Sequence, residues 1–371
     1  KSKNEFDRKM VPATKSPDLM LIYFTSGSTA MPKMVGRDHA YAFSHNITKK
    51  YWQNLKSDDI HWTLTDTGWA KAAWGLLYPP LLAGCTIILY NGDGFDLEIH
   101  LEIIKKHKVT TFCAPPTIYR LLAQSDLSNG EFNSLRHCFS AGEPLNPEAM
   151  RSWKSATGCD VYDGYGQTET INVIANFPGM PIKQGSMGRP CPGFKVEIID
   201  DEANVLEINK IGNIGIKITD PYPPGLFKGY YKDQKKTSEV FKKGWYLTGD
   251  TATKDEDGYI WFVGRADDII TSSGYRISPF EVESSLIEHP NILEAAVVAK
   301  PDAIRGEIVV AFVVLGKNHE GNEKLKLEIQ EFVKKNSAPY KYPREIIFTE
   351  NLPKTISGKI RRVDLRNKLE C

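Results

Sequence analysis

The chain has 371 residues, of which 41% are hydrophobic and 25% are charged, and its formal net charge is +1. A globular chain of this length has two or three domains and can bury a large core, so it does not need a disulfide scaffold. A net charge close to zero also excludes a global field that would attract nucleic acid or anionic lipid.

The six cysteines are scattered along the chain, without a C-x-x-C pair and without a histidine at metal-ligand spacing. This usage is typical of a reducing compartment. The chain opens on a polar segment, residues 1–9, with no signal or transit peptide. Because a candidate functional motif follows almost at once, we expect the sequence to begin inside a larger protein.

The first half of the chain predicts strands and helices in alternation, which is typical of α/β layers. The apolar run Leu19–Thr25 predicts a strand that is buried on both faces of a mixed or parallel sheet. A helix, a strand, a second helix and a second strand are then predicted at Asp96–Lys106, Thr110–Ala114, Pro116–Leu122 and near His137–Ser140.

The longest apolar stretch runs from Trp74 to Tyr90 and is interrupted by Pro79, Pro80 and Gly84. It is shorter than the roughly 20 residues that a membrane helix needs. We therefore predict a helix, a turn and a buried strand here, and no transmembrane segment.

From Gly185 onward, short apolar runs separated by Gly, Pro and Asp predict a β-rich subdomain that spans residues 185–264. Its strands are predicted at Phe194–Asp200, Gly215–Thr219 and Tyr259–Val263.

The residues from Asp268 onward predict a separate small α+β domain. A helix begins after Ser278, which can cap it, with Pro279 at the first helical position and Glu281 able to bond back in a capping box. A buried strand and an amphipathic helix follow at Ile308–Leu315 and Asn322–Asn336, with Leu325, Ile329, Phe332 and Val333 on one helical stripe.

The first candidate site is the segment Thr25–Lys33, which reads TSGSTAMPK. Such a loop can direct main-chain N–H groups and a positive charge at phosphate oxygens. It is not a Walker A loop, because Pro32 precedes the lysine and Met34 follows it. A flexible polar turn between strands is the alternative interpretation.

A second candidate site is Asp163–Thr170, in which the Thr168 hydroxyl could contact a phosphate and Glu169 could offer an oxygen to Mg²⁺. The alternative is a loop that closes a strand. The nearby segment Gly142–Pro144 follows a predicted strand, which is where α/β proteins bind ligands.

Three further segments carry polar groups that could contact a nucleotide. In Tyr246–Asp250, a carboxylate follows a predicted tight turn and could accept two ribose hydroxyls, although a plain Asx turn would look the same. The segment Gly264–Arg276 contains two more polar turns, and Pro353–Lys359 presents a lysine on a Gly/Ser loop that could equally be a surface turn.

The order and joint presence of these segments resemble the adenylate-forming superfamily, which includes acetyl-CoA synthetases, luciferases and peptide-synthetase adenylation domains. The resemblance is closest to medium-chain acyl-CoA synthetases and runs from about Asp18 to the C-terminus. It rests on the phrases DTGWAKAAW (66–74), AGEPLNP (141–147), YGQTET (165–170), SSGYRISPFEVE (272–283) and PKTISGKIRR (353–362).

The resemblance implies an ATP site. The β- and γ-phosphates would be bound by Thr25, Ser26, Gly27, Ser28, Thr29, Ala30, Met31, Pro32 and Lys33. The adenine would be framed by Glu143 and Pro144 with Asp163, Gly164 and Tyr165, and the ribose would be held by Asp250 and Arg265. The remaining nucleotide contacts would come from Gly142, Gly166, Gln167 and Arg276.

The resemblance also implies the catalytic residues. Thr168 would touch the α-phosphate, Glu169 would hold Mg²⁺, and Lys359 would enter the site only during adenylation. A substrate carboxylate would attack the α-phosphorus and pyrophosphate would leave, so positioning and charge neutralisation would dominate the chemistry.

A second half-reaction with coenzyme A is implied as well. The C-terminal domain would rotate about a hinge at Asp267 and withdraw Lys359 from the site. The predicted CoA-binding residues are Ser273, Gly274, Tyr275, Arg305, Tyr342, Pro343 and Arg344.

Three residues bear on the acyl group. Acetate-specific relatives carry a Trp at the position of Gly166, and that Trp closes the acyl pocket, so a glycine implies room for a longer chain. Trp69 and Trp74 would form apolar walls of this pocket, with plain core packing as the alternative.

The chain departs from the family pattern at two positions and in its extent. Relatives usually have Gly at the position of Ala30, and a left-handed backbone there would cost Ala roughly 1–2 kcal/mol and weaken ATP binding. They usually have His at the position of Arg37, whereas the nearest histidine here is His39, so the contribution of either residue to the acyl pocket stays open. Relatives also carry a long N-terminal stretch that completes the large domain.

The sequence therefore predicts an α/β large domain at residues 1–266, incomplete at its N-terminus, with a β-rich subdomain, and a small mobile α+β domain at residues 268–371. The predicted function is ATP-dependent activation of a short- or medium-chain fatty acid to acyl-CoA, with ATP, Mg²⁺ and coenzyme A, in the cytoplasm or the mitochondrial matrix. The alternatives are a catalytically silent nucleotide-binding relative and an adenylating enzyme with another acceptor.

Overall fold

The computed structural model describes residues 13–25, 32–92, 96–123, 127, 132–316, 319–354 and 360–370. These residues form four β-sheets of two, seven, five and five strands, in that order along the chain.

The two-stranded sheet is a hairpin of β1 (Leu19–Thr25) and β2 (Lys33–Asp38), which pair antiparallel. The predicted strand is confirmed, but the expected burial on both faces of a parallel or mixed sheet is wrong. Phe24 is 67% exposed and Leu19 is 48% exposed. An apolar run identifies a strand but does not specify how many layers cover it, because that depends on distant residues.

The seven-stranded sheet has the order β4-β3-β5-β6-β7-β8-β9, with parallel pairs from β4 to β7 and antiparallel pairs after that. Its strands are β3 (Ile60–Thr63), β4 (Thr86–Ile88), β5 (Thr111–Cys113), β6 (His137–Ala141), β7 (Val161–Gly166), β8 (Asn172–Ala175) and β9 (Arg189–Pro190). The strands predicted near 110–114 and 137–140 are confirmed as β5 and β6.

Helices connect these strands, as the alternating pattern predicted. They are α1 (Ala40–Ile47), α2 (Ala70–Ala72), α3 (Tyr78–Ala83), α4 (Leu97–Lys106), α5 (Pro116–Ala123) and α6 (Pro147–Thr157), with π-helical turns at Thr48–Trp52 and Ala73–Leu77. The Asp96 carboxylate accepts a hydrogen bond from the Ile99 N–H at 2.9 Å and so fixes the start of α4.

The apolar stretch from Trp74 to Tyr90 contains helix, turn and strand as predicted, but its strand is not buried. Gly84 ends α3 in the left-handed conformation, with φ +71°. Strand β4 then lies at the edge of the seven-stranded sheet and is only partly covered. In the described part of the chain, no helix is long and apolar enough to cross a membrane.

The β-rich region forms an antiparallel sheet in the order β10-β11-β13-β12, and β14 also pairs with β13. Its elements are β10 (Val196–Ile199), β11 (Gly212–Lys217), α7 (Gln234–Val240), β12 (Phe241–Lys242), β13 (Trp245–Lys254) and β14 (Ile260–Arg265). The three predicted strands correspond to β10, β11 and β14, and β11 begins three residues earlier than expected.

The last sheet has the order β16-β15-β18-β17, with β19 parallel to β18. Its elements are β15 (Ile270–Ser272), β16 (Tyr275–Ile277), α8 (Pro279–Ile287), β17 (Ile292–Asp302), β18 (Gly306–Leu315), α9 (Glu323–Asn336), β19 (Glu345–Phe348) and α10 (Arg362–Glu370). The predicted strand at 308–315 and the predicted helix after Asn322 are confirmed.

The predicted start of α8 is confirmed, but one of its contacts is not. The Ser278 hydroxyl accepts a hydrogen bond from the Glu281 N–H, as a capping residue should. The Glu281 carboxylate does not complete a capping box and instead contacts Lys341. A charged partner brought close by the tertiary fold has replaced the local bond.

The seven-stranded sheet and the C-terminal sheet are each buried on both faces, and the described residues form four apolar clusters. In the seven-stranded sheet, Phe112 and Cys138 enter one core, while their neighbours Cys113 and Phe139 enter the other. The sheet of the C-terminal region is covered in the same way by α8 and α9 on one face and by α10 on the other. The polar ends of the strands are therefore held by rigid packing.

Candidate functional site

Polar residues gather where the neighbouring parallel strands β6 and β7 end. Gly142, Glu143 and Pro144 follow β6, and β7 itself carries Asp163, Gly164, Tyr165 and Gly166. The Glu143 carboxylate accepts a hydrogen bond from the Thr117 hydroxyl at 3.2 Å. The carboxyl end of a parallel sheet is the usual ligand-binding edge of α/β proteins, so these segments lie where a ligand is expected.

Asp163 is a buried carboxyl within this edge, with 5% of its surface exposed. Burial raises the pKa of Asp163 from 3.8 to about 8, although the hydrogen bond that its carboxylate accepts from the Gly164 N–H favours the charged form. The side chain therefore holds a proton near neutral pH and can donate as well as accept a hydrogen bond.

Asp250 forms the centre of a second polar group. Its Oδ2 atom accepts hydrogen bonds from the Tyr165 hydroxyl at 2.5 Å and from Gln167 Nε2 at 2.6 Å. Arg265 approaches the other carboxylate oxygen at 3.3 Å. Burial opposes the charge on Arg265, but the carboxylates of Asp250 and Asp267 outweigh it and raise the pKa of Arg265. The arrangement fixes the Asp250 side chain beside the end of β7.

The tight turn predicted before Asp250 is wrong. The segment Tyr246–Asp250 lies inside the ten-residue strand β13, where the pairing with β11 shifts register and Gly249 has φ +74°. This is a β-bulge, in which extra residues re-aim a side chain. A bulge and a turn both use a left-handed glycine, so the local sequence did not separate them.

Glu169 lies in the turn after β7 and is 8% exposed. The Tyr230 hydroxyl donates a hydrogen bond to Glu169 Oε1 at 3.0 Å, and Lys33 Nζ lies 3.5 Å from the same hydroxyl. Burial and the Glu169 carboxylate both raise the pKa of Tyr230, which therefore stays neutral. Tyr230 thus links the predicted phosphate-binding lysine to the predicted metal ligand.

The residues fit Mg²⁺ as a shared site of protein and nucleotide. Mg²⁺ is bound in such enzymes by one or two carboxylates together with substrate phosphates and water. Glu169 could supply one such carboxylate. The described residues contain no group of three or more His, Cys, Asp or Glu that could hold a metal ion. The predicted role of Glu169 as a metal ligand stays a prediction.

Several predicted residues lie outside the described part of the chain. In the predicted phosphate-binding segment, Thr25 is the last residue of β1, Pro32 precedes β2, and Lys33 is the first residue of β2. Residues 26–31, from Ser26 to Met31 and including Ala30, lie outside the described ranges. Lys359 also lies outside them, in the undescribed segment 355–359. Their predicted roles stay predictions.

Thr168 and the two tryptophans predicted to line the acyl pocket lie in different surroundings. Thr168 is half-buried in the turn beside Glu169. Trp74 packs against Trp52, with ring centroids 5.2 Å apart, and belongs to the apolar core under the sheet. Trp69 is half-buried just before α2. The core contacts of Trp74 favour packing at that position, whereas a pocket wall at Trp69 stays a prediction.

The local backbone packing also favours glycine at position 166. A Cβ atom added there would lie 2.4 Å from the main-chain oxygen of Ile171, which is closer than real Cβ contacts. A side chain at this position would therefore require the backbone to shift, whatever the size of an acyl pocket.

The predicted CoA residues fall into two groups on the C-terminal sheet. Ser273 and Gly274 form the two-residue turn between β15 and β16, with φ +51° and +82°, as a type I′ hairpin requires. Arg305 donates to the Ser273 hydroxyl at 3.3 Å, and its main-chain oxygen accepts the Ser273 N–H. Tyr275 stacks on Tyr340, with ring centroids 4.2 Å apart.

The second group is Tyr342, Pro343 and Arg344. The Arg344 guanidinium lies 4.3 Å from the Tyr342 ring centroid, and Lys334 lies at the same distance. The Pro343 oxygen accepts a hydrogen bond from Gln330 at 3.0 Å. A ring flanked by two cations is suited to bind an anionic aromatic group such as a nucleotide.

Asp267 lies in the connection between the β-rich sheet and the C-terminal sheet, whereas Arg276 belongs to the C-terminal sheet. Asp267 is in the short connection between β14 and β15, with its Oδ1 atom 3.7 Å from Arg265 Nε. Arg276 is exposed on β16. The predicted nucleotide contact of Arg276 and the hinge at Asp267 stay predictions.

The sequence did not single out Tyr230, Tyr340 or the binding mode of Arg37. Tyr230 and Tyr340 meet their partners only in the fold, 61 and 65 positions away in the chain. Arg37 stands where relatives usually have His, which marked the position as unusual. The sequence did not show which groups its side chain contacts. The guanidinium contacts main-chain oxygens of Glu169, Thr170 and Gly225.

A mixed sheet with polar strand ends, a β-rich sheet and a C-terminal sheet together define an α/β protein with a candidate ligand-binding edge. The chain belongs to the AMP-binding enzyme family, whose model matches residues 1–231, and the model of the AMP-binding enzyme C-terminal domain matches residues 281–359.

Curated relatives match almost the whole chain. Acyl-coenzyme A synthetase ACSM3, mitochondrial, of Rattus norvegicus is 50% identical over 358 residues, which are 96% of this chain and 62% of the relative. Acyl-coenzyme A synthetase ACSM4, mitochondrial, of Homo sapiens is 48% identical over the same shares. The chain thus spans 62% of the length of these relatives.

A solved structure also matches almost the whole chain. The anthranilate CoA ligase AuaEII, in complex with anthranoyl-AMP, superimposes with a TM-score of 0.89 and 33% sequence identity, covering 96% of this chain and 69% of that chain. The predicted family and the α/β fold class are therefore confirmed.

Proposed function

We propose that the protein is an ATP-dependent acyl-CoA synthetase. It would activate a short- or medium-chain fatty acid to an acyl-adenylate and then transfer the acyl group to coenzyme A, releasing AMP and pyrophosphate. The observation that carries this proposal is the polar group around Asp250, where Tyr165, Gln167 and Arg265 hold one buried carboxylate. The names of the rat and human relatives, both acyl-coenzyme A synthetases, support coenzyme A as the acceptor.

The proposed adenylation step depends on positioning. Asp250 would accept ribose hydroxyls beside Arg265, and Asp163 would donate or accept at the edge of the adenine. Lys33 and Glu169 meet at Tyr230, so both would lie beside the phosphates. Mg²⁺, when bound with ATP, would neutralise charge on the phosphate oxygens. The protein would thus orient the fatty-acid carboxylate for attack on the α-phosphorus.

The second proposed step uses the C-terminal domain. We assign residues 1–266 to the large domain and 268–371 to the mobile domain, with Asp267 as hinge. The turn Ser273-Gly274, Tyr275 and Arg305 would face the CoA chain, and the cation-flanked Tyr342 would face its nucleotide. The names of the relatives support a mitochondrial location, which fractionation of the source cells would test.

The experiment that tests the function is ATP–pyrophosphate exchange with acids from acetate to decanoate and benzoate, first without and then with coenzyme A. We expect exchange that depends on a medium-chain acid, followed by net release of AMP when CoA is added. Exchange without a response to CoA would support an adenylating enzyme with another acceptor. Absence of exchange with every acid would contradict the proposal and favour a silent nucleotide-binding relative.

Lys359 gives a sharper test of the same proposal. Removing a positive charge that stabilises the transferring phosphoryl group costs roughly 100-fold or more in rate, so Lys359→Ala should lower exchange by about that factor. Lys354→Ala is the matched control, because Lys354 lies in the same segment but pairs with Glu294 at 2.7 Å. Equal exchange in Lys359→Ala and wild type would show that the assignment of this lysine is wrong.

A further inference from the structure

Arg37 is a fully charged side chain placed deep in the molecule, next to the candidate site. It is 2% exposed, and its guanidinium lies 3.8 Å from the centroid of the Tyr41 ring. Burial lowers the pKa of Arg37, although the nearby carboxylates of Glu169 and Asp38 favour its charged form. Placing a charge inside a protein costs several kcal/mol, so such a residue needs strong compensation.

The compensation comes from three main-chain oxygens. Arg37 donates to Glu169 O at 2.9 Å, to Thr170 O at 3.2 Å and to Gly225 O at 2.6 Å. A guanidinium presents several donors in one rigid plane, which a lysine ammonium cannot do. All three hydrogen bonds of the Arg37 guanidinium are made to main-chain oxygens. This geometry does not suit Arg37 to bind an acyl carboxylate.

The three main-chain oxygens belong to two segments: one contains Glu169, the predicted metal ligand, and the other contacts it. The first segment contains Glu169 itself. The second runs from Gly225 to Tyr230, and Tyr230 donates to the Glu169 carboxylate. The Phe227 N–H, in the same segment, donates to the Glu169 main-chain oxygen at 2.8 Å. Arg37 therefore ties the backbone of Glu169 to the segment that orients its carboxylate.

We propose that Arg37 is a positioning residue for Glu169 and thereby sets the affinity of the nucleotide site for Mg²⁺. This inference rests on the proposed function, in which Glu169 and ATP share the metal. Because Arg37 also belongs to β2, which begins at Lys33, it connects the metal ligand with the strand that carries the phosphate-binding lysine. The residue would act through Glu169, by its hydrogen bonds to the main-chain oxygens of Glu169 and Thr170.

The test measures binding of α,β-methylene-ATP, whose α–β bridge is not cleaved, as Mg²⁺ is titrated from none to saturation. In the Arg37→Gln protein, we expect the Mg²⁺ concentration for half-maximal binding to rise about tenfold, because loss of a group that orients a metal ligand typically costs 10–100-fold in metal affinity. Binding measured in EDTA should stay at the wild-type level. Arg37→Lys should lie between the two, since it keeps the charge but loses the planar donor set.

Arg136→Gln is the matched control. Arg136 also bonds a main-chain oxygen, that of Asn54 at 2.7 Å, and pairs with Asp59, but it contacts none of the site residues. It should lower the melting temperature without changing the Mg²⁺ dependence. If Arg37→Gln lowered binding equally with Mg²⁺ and with EDTA, or only lowered the melting temperature, Arg37 would be purely structural and the inference would be wrong. Absence of nucleotide binding in the wild type would instead contradict the proposed function itself.

Discussion

At the scale of single residues, the polar groups of the site owe their properties to burial. Asp163 and Asp250 are both carboxyls with 5% of their surface exposed. Asp250 accepts hydrogen bonds from Tyr165 and Gln167 and pairs with Arg265. Asp163 has main-chain donors but no cation beside it, and it retains its proton. Two identical side chains therefore offer different chemistry.

The pKa of Asp163 makes a prediction about pH. Because the folded-state pKa is raised from 3.8 to about 8, the folded protein holds a proton that the unfolded chain has lost between these values. The free energy of unfolding should therefore fall as pH rises, by about 2–3 kcal/mol between about pH 5 and about pH 7. In Asp163→Asn this part of the pH dependence should be absent. Urea unfolding at the two pH values measures it, and equal slopes in both proteins would show that Asp163 is ionised when folded.

The residue scale also shows why Gly166 has two explanations. The family comparison linked this glycine to the size of the acyl pocket, whereas the backbone shows that Ile171 O leaves no room for a Cβ atom. The sequence marked Gly166 as a notable position but did not reveal its contact with the Ile171 main-chain oxygen. The distance between strand β7 and the following turn depends on the fold.

At the scale of elements, helix starts were the most predictable features. The capping residues Ser278 and Asn322 bond the main-chain N–H groups three residues ahead, and both were readable from short sequence signals. The strand bulge at Gly249 and the exposed strand β1 were not predictable, because they depend on partners from other parts of the chain.

Ser278 connects two elements, which leads to a prediction. Its hydroxyl accepts from the Glu281 N–H and also donates to the Val263 oxygen on β14. Ser278→Ala should lower the free energy of helix opening by about 2 kcal/mol, because both a cap and a buried hydrogen bond are lost. Asn322→Ala, which loses a cap only, should cost about 1 kcal/mol. Hydrogen exchange of the amides in α8 and α9 measures both, and equal losses would show that the bond to β14 contributes nothing.

At the scale of the whole molecule, the connection at Asp267 lies between two separately packed sheets. The Asp267 N–H makes no hydrogen bond among the described residues, so a proline could be placed there without losing one. Proline would fix φ near −65°, whereas a hinge needs that angle to change.

Asp267→Pro tests the hinge directly. We expect one half-reaction, adenylation or thioester formation, to slow by about tenfold or more while the other stays near the wild-type rate, since only one domain position would remain accessible. Asp267→Ala is the control, because it removes the contact with Arg265 at 3.7 Å but leaves the backbone free. Single-turnover measurements give the rate of each half-reaction. Equal slowing of both half-reactions in Asp267→Pro would contradict a hinge at this residue.

The sequence by itself determined the family, the α/β class, the helix starts and most of the polar residues of the candidate site. These features depend on local patterns and on short motifs that keep their spacing. Only the tertiary structure decided which groups meet: Tyr230 with Glu169, Gln167 with Asp250, and Arg37 with three main-chain oxygens. Hydrogen bonding and burial act between atoms that are close in space, and the folding of distant segments sets those distances, so local sequence could name the residues but not their partners.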